Sequence, residues 1–124
     1  MAKLTTNQLL NLDFSSQDNR KKLFKALRLI PPLAKIPEDE IEPYHLEKAL
    51  HIMCNKYNMF VHIQQDPVSG DGYDIWSCQI YSTRTLNELG KIYGTTLFEV
   101  FVKVNIAVYS EVRKQKKKGV NKKS

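Results

Sequence analysis

Cysteine is scarce in this sequence: only Cys54 and Cys78 occur among 124 residues. A secreted disulfide scaffold of this size would be much denser in cysteine. Two reduced thiols in a cytoplasmic setting are expected, with a Cys54–Cys78 bridge left open by sequence alone. No run of about 18 apolar residues is present, so no transmembrane helix is expected. Met1 to Gln8 contain no apolar core followed by a small-residue cleavage site, and no secretory signal is read there. The five glycines are scattered and build no phosphate-cradling loop. Neither cysteine sits at a glycine-rich elbow or a helix start that would activate it. No enzymatic activity, catalytic residue or cofactor is expected.

Acidic residues are missing from one stretch in particular. Residues 113–124 carry Arg113, Lys114, Lys116, Lys117, Lys118, Lys122 and Lys123, seven cations without an acid. The other 112 residues hold 12 basic and 13 acidic side chains, so the +6 net charge of the chain belongs to its end. Such a segment is expected to be a disordered basic tail, because its charges repel one another and it has little to bury. Full engagement of seven cations with duplex DNA would give a log–log salt slope near about −6. These seven residues are the candidate nucleic-acid contacts, for DNA or RNA.

What is present reads as one small α+β domain. Residues 1–14 form a weakly ordered N-terminal segment in which Leu4, Leu9, Leu10 and Leu12 allow a short helix or a docked tail. Ser15 or Ser16 offers an N-cap. Leu23, Phe24, Ala26, Leu27 and Ile30 then recur near a 3.6 period, predicting a helix over 17–29. Arg20, Lys21, Lys22, Lys25 and Arg28 fall on its other face. Pro31-Pro32 stops it. An acidic linker leads to Pro43, at the first position of a second helix reaching Tyr57, with Leu46, Ala49, Leu50, Met53 and Tyr57 as its stripe. Asn58 suits a left-handed C-terminal residue.

The period then changes to two. Over 59–65, Met59, Val61 and Ile63 alternate with Phe60, His62 and Gln64. Over 73–81, Ile75 faces one side while Trp76, Cys78 and Ile80 face the other. The turn-rich segment Asp66 to Gly72 between them predicts a hairpin with a long loop. Residues 82–94 fit either a helical turn or a third short strand through Leu86, Leu89, Ile92 and Tyr93, and Gly90 and Gly94 break either one. Thr96 to Glu99 is a capping box opening a helix to about Gln115. That helix is apolar nearly all round. It is therefore either central in the domain or also a homodimer interface, for which Phe98, Val102, Ile106 and Tyr109 are the candidates.

Other clusters have plainer readings. His51, Cys54, His62 and Cys78 are formally a zinc set, but their spacing matches no metal knuckle, and core thiols with surface histidines explain them. Asp66, Asp71 and Asp74 lack a calcium loop's ligand order and closing glutamate. Phe60, Tyr73, Trp76 and Tyr81 would stack on bases if exposed, as in sheet-based RNA binders, yet hairpin core is the favoured reading.

Trp76-Ser77-Cys78-Gln79-Ile80-Tyr81 on the second strand, followed by Thr96-Leu97-Phe98-Glu99-Val100, resembles small accessory proteins of bacteriophages and prophages. The likeness spans about residues 44–112. It implies a compact α-β-β-α sandwich from a phage or mobile element, and no activity.

The expected architecture is a small antiparallel sheet, with a hairpin and room for a third strand, packed by two or three helices over 15–112. The expected function is non-enzymatic: an accessory protein acting by protein–protein contact, assisted electrostatically by the tail. Alternatives are a nucleic-acid binder using the tail and an inhibitor of a host defence nuclease complex. The expected setting is the cytoplasm, that of a bacterial host if the chain is phage-encoded. No metal and no membrane partner are expected.

Overall fold

The computed structural model describes residues 4–67 and 74–118. The fold is α+β, with helices α1 (Thr6–Leu10), α2 (Gln17–Leu27), α3 (Pro43–Lys56) and α4 (Leu97–Lys118). Its strands are β1 (Met59–Pro67), β2 (Asp74–Ser82) and β3 (Glu88–Gly94). They form one antiparallel sheet in the order β1-β2-β3. Among the described residues, no helix is long and apolar enough to cross a membrane.

Local chemistry fixes the helix ends. The Ser16 hydroxyl accepts from the Asn19 N–H and caps α2. Pro43 opens α3, and the backbone N–H of Glu42 donates to Nδ1 of His45 at 2.9 Å. Asn58 takes φ 59° where α3 turns into β1, and its carbonyl accepts from the Thr83 N–H. The helix over 17–29 ends two residues sooner than its pattern predicts, and Leu29 is left exposed.

The ambiguous segment 82–94 contains the third strand. Its glycines do not break the strand, and one of them, Gly94, allows close packing. Gly90, Ile92 and Gly94 face the helices, and a Cβ on Gly94 would lie 2.9 Å from Cγ2 of Val100. Only glycine lets the first turn of α4 lie so close to β3.

Helix α4 is the centre of the molecule, touching α1, α2, α3, β2 and β3. Val100, Val102, Val104, Ile106, Val108 and Val112 are all buried. Burial within the domain accounts for much of that apolar surface and takes Val102 and Ile106 out of the candidate subunit interface, while Phe98 and Tyr109 are half-buried. Val102 and Ile106 are 0% and 6% exposed, Phe98 packs on Phe14 and Phe24, and half-buried Tyr109 lies under Arg113. The N-terminal segment supplies part of that cover, so from Leu4 onward it belongs to the domain. The Thr5–Gln8 capping box holds α1, while Leu9, Leu10, Leu12 and Phe14 pack against the core.

Three polar side chains are buried along α4. Glu99 and Lys103 pair at 2.7 Å with side chains 8% and 5% exposed. Glu99 Oε1 also accepts from the N–H and hydroxyl of Thr95, and Lys103 Nζ donates to the Leu12 carbonyl at 2.9 Å. Glu99 therefore reaches one residue beyond the Thr96 cap that its sequence pattern suggests. Asn105 donates to the carbonyls of Leu46 and Phe101, and its Oδ1 has no partner among the described residues.

Candidate functional site

The helices cover one face of the sheet and leave the other open. Met59, Cys78, Ile80 and Ile92 point inward and are at most 4% exposed. Register places the outward side chains in rows: Phe60 beside Tyr81, His62 beside Gln79 and Lys91, and Gln64 beside Ser77 and Tyr93. A register shift at Ile80/Tyr81 brings Glu88 opposite Tyr81.

This face is rich in rings. Phe60 and Tyr81 stack at 5.1 Å with planes 21° apart. Tyr93 is 55% exposed, and Lys91 Nζ lies 5.2 Å from its ring centroid. Between the rings sit His62, Gln64 and Gln79, all able to hydrogen-bond; His62 Nε2 lies 3.1 Å from Gln64 Oε1. Phe60 is thus not core, which corrects the favoured reading for that residue. Trp76 is on the helix-facing side, as its strand pattern predicts, and Tyr73 lies outside the described residues. Tyr93 and Lys91 were hidden from sequence reasoning, because the element carrying them was ambiguous. Once a strand is assumed over 88–94, alternation with Ile92 puts both on the outer face.

The basic segment is corrected over its first half. It is not a loose arm from residue 113: α4 runs through Lys118, so the backbone at Arg113, Lys114, Lys116, Lys117 and Lys118 is helical. Arginine and lysine are good helix formers, and cations near a helix C-terminus oppose its dipole favourably. Local contacts add to this, with Arg113 over the Tyr109 ring and Lys114 3.4 Å from Glu111. Lys122 and Lys123 lie outside the described residues.

Helix and sheet run alongside each other at this end. A cleft of about 360 Å³ between α1, β3 and α4 is lined by Leu89 and Lys91 on one side and Ser110 and Lys114 on the other. The basic turns of α4 therefore begin beside β3, on the helix-covered side of the sheet and across the β3 edge from the outward rings. On α2, Lys21, Lys22, Lys25 and Arg28 are solvated, whereas Arg20 is half-buried and donates to the Phe14 carbonyl at 2.8 Å.

The remaining candidate groups are not brought together. His62 and Cys78 lie on opposite faces of the sheet, and His51 is exposed on α3 while Cys54 is buried. Among the described residues, no three histidine, cysteine or acidic side chains converge as metal ligands would. Both cysteines are free thiols. Burial pushes the Cys54 thiol up to about 11 and the Cys78 thiol up to about 12, with Cys54 adding to the latter, so neither forms a ready thiolate near neutral pH. The side chains of Asp66 and Asp74, and all of Asp71, lie outside what the structure describes.

No protein-family model, curated protein or solved structure matches this chain.

Proposed function

We propose that this is a non-enzymatic binding protein whose ligand is a single strand of nucleic acid. The open sheet face would hold the bases and the basic end of α4 the phosphates. One observation carries the reading: three aromatic rings stand on an uncovered sheet face, and the cationic end of α4 lies across the β3 edge from that face, where Lys91 and Lys114 line one cleft. Every base offers a π-face, so ring stacking captures unpaired bases whatever their identity. His62, Gln64 and Gln79 offer hydrogen bonds to exposed base edges, which duplexes keep hidden. Lys91, Arg113, Lys114 and Lys116 supply the charge that tracks a backbone.

Fluorescence anisotropy with labelled single-stranded RNA and DNA, and with a duplex of equal length, tests this. The single strands should bind more tightly than the duplex. Phe60→Ala and Tyr93→Ala should each cost about 1–3 kcal/mol of binding. The double substitution Lys114→Gln/Lys116→Gln should flatten the log–log salt slope by about 1.4. Failure of any single strand to bind at low salt removes the reading.

A second reading is a protein partner on the same face. It is favoured by Ile75, 37% exposed, and by Glu88, an acid that a phosphate-binding surface does not want. Binding to a protein, with no loss on nuclease treatment, would select it.

A further inference from the structure

The two edges of the sheet are unlike. The β3 edge carries Glu88 and Lys91 and is flanked by α1 and α4, which form the cleft beside it. Helix α3 lies against β1. Among the described residues, no backbone hydrogen bond reaches Phe60, Val61, His62 or Ile63 from any segment outside the β1–β2 ladder. From Met59 to Gln65 the strand carries no charged residue, glycine or proline. Its pairing with β2 runs without a bulge. Those are devices by which edge strands ordinarily avoid other strands, and in β1 they begin only at Asp66 and Pro67, beyond the segment Met59 to Gln65.

Burial falls away toward this edge. In one inward-facing row, Cys78 and Ile92 are 0% and 4% exposed while Ile63 is only half-buried; in the next, Ile80 is 1% exposed while Val61 is half-buried. Two β-branched side chains thus lie only half-buried on the edge strand. A further strand would cover both.

We propose that β1 pairs antiparallel with β1 of a second copy of this chain, joining two sheets into one of six strands. A second copy is the occupant that the edge chemistry favours. An uncharged strand meets no repulsion from itself, and Val61 and Ile63 are matched in kind by their own symmetry mates. A two-fold axis normal to the sheet keeps both sets of helices on one side and both open faces on the other. Face matching then requires an axis through a residue, not between two. Registers centred on Val61, His62 or Ile63 satisfy this. In each of them His62 and its mate are either directly opposite, about 5 Å apart, or diagonal, about 7–8 Å apart.

That position provides the test, because His62 is exposed and its replacement leaves the core intact. Sedimentation velocity of the full chain over a concentration series should show a reversible dimer. His62→Glu and His62→Lys should each shift it to monomer through like-charge repulsion, with unchanged circular dichroism and a thermal midpoint that no longer rises with concentration. An equimolar mixture of the two variants should restore the dimer, as a mixed species. A wild-type monomer at all concentrations overturns the proposal. So does a dimer that either variant retains, or a pair of monomeric variants that stay apart when mixed. Nucleic-acid binding is read separately by anisotropy, so either proposal can fail without the other.

Discussion

Replacing Lys103 with methionine isolates the buried ion pair. The substitution keeps length and most of the volume but removes the ammonium. It leaves the Glu99 carboxylate 8% exposed, with Thr95 as its one remaining partner among the described residues. Stranding one member of a buried pair costs about 3–5 kcal/mol. The Leu12 carbonyl loses its charged donor in the same step, worth up to about 1.5–3 kcal/mol if water does not replace it. Leu12 is half-buried, so water can reach it, and the lower figure is the better expectation. The double variant Glu99→Gln/Lys103→Met removes both charges while the amide oxygen still accepts from Thr95. It should return to within about 1–2 kcal/mol of the native chain, since neutral replacements of buried pairs are often nearly silent. Urea unfolding followed by Trp76, the only tryptophan and half-buried against the core, measures all three proteins. Amide exchange over residues 6–14 should rise in both variants, because the anchor on Leu12 is gone. A loss below about 1 kcal/mol for Lys103→Met, the range of an exposed pair, would refute the reasoning. So would a double variant no more stable than the single one.

Three further outcomes are expected. Asn105→Leu should cost little, about 1.5 kcal/mol or less, because it removes an orphaned oxygen along with two hydrogen bonds. Asn105→Asp should be far worse by the same urea titration, since it sets a carboxylate against the carbonyls of Leu46 and Phe101. Leu86 is held at φ 64° and is 67% exposed, so Leu86→Asn should raise stability by about 1 kcal/mol through relief of left-handed strain, seen as a higher thermal midpoint. The thiols set the alkaline limb of stability. Their folded pKa values lie near 11 and 12 against an ordinary 9.0, so above pH 9 the unfolded chain gives up protons first. Their contribution is whole below pH 9 and is lost as pH climbs through 11 to 12; Cys78→Ala should flatten that decline in urea midpoints measured against pH.

Strand pattern and helix punctuation were legible in the sequence because each has a local cause. Alternation at Met59–Gln64 gave the correct facing of β1, Ser16 and Pro43 marked true helix starts, and Asn58 its left-handed turn. Local pattern failed where the deciding contact is distant. Glu99, Lys103 and Asn105 read as the polar remainder of α4, yet they are buried because Thr95, Leu12 and Leu46 satisfy them, and two of those partners lie 91 and 59 residues away. Gly90 and Gly94 read as breakers because glycine weakens an isolated strand. The approach of Val100 that makes glycine necessary at 94 appears only after α4 folds back. The candidate surface was hidden for a related reason. An aromatic residue at Phe60 is apolar enough for either face, and only the position of the helices decides which face is open.

The buried polar groups of α4 share one property: each is tied to a different part of the chain. Glu99 grips the β3–α4 junction through Thr95, Lys103 holds the N-terminal segment through Leu12, and Asn105 meets α3 at Leu46. Apolar packing alone is non-directional and would tolerate sliding of α1 or α3 along so uniformly valine-rich a helix. Directional bonds to single carbonyls forbid it, at the cost of desolvating three polar side chains. The placement of the helices is thus decided on the inward side of the sheet. Apart from Ser77, the outward residues have no part in that core: Phe60, His62 and Tyr93 stay exposed and none is needed to seat a helix. On the open face the outward side chains stabilise the sheet among themselves, through the Phe60–Tyr81 stack and the Lys91–Tyr93 contact, without fixing where any helix sits.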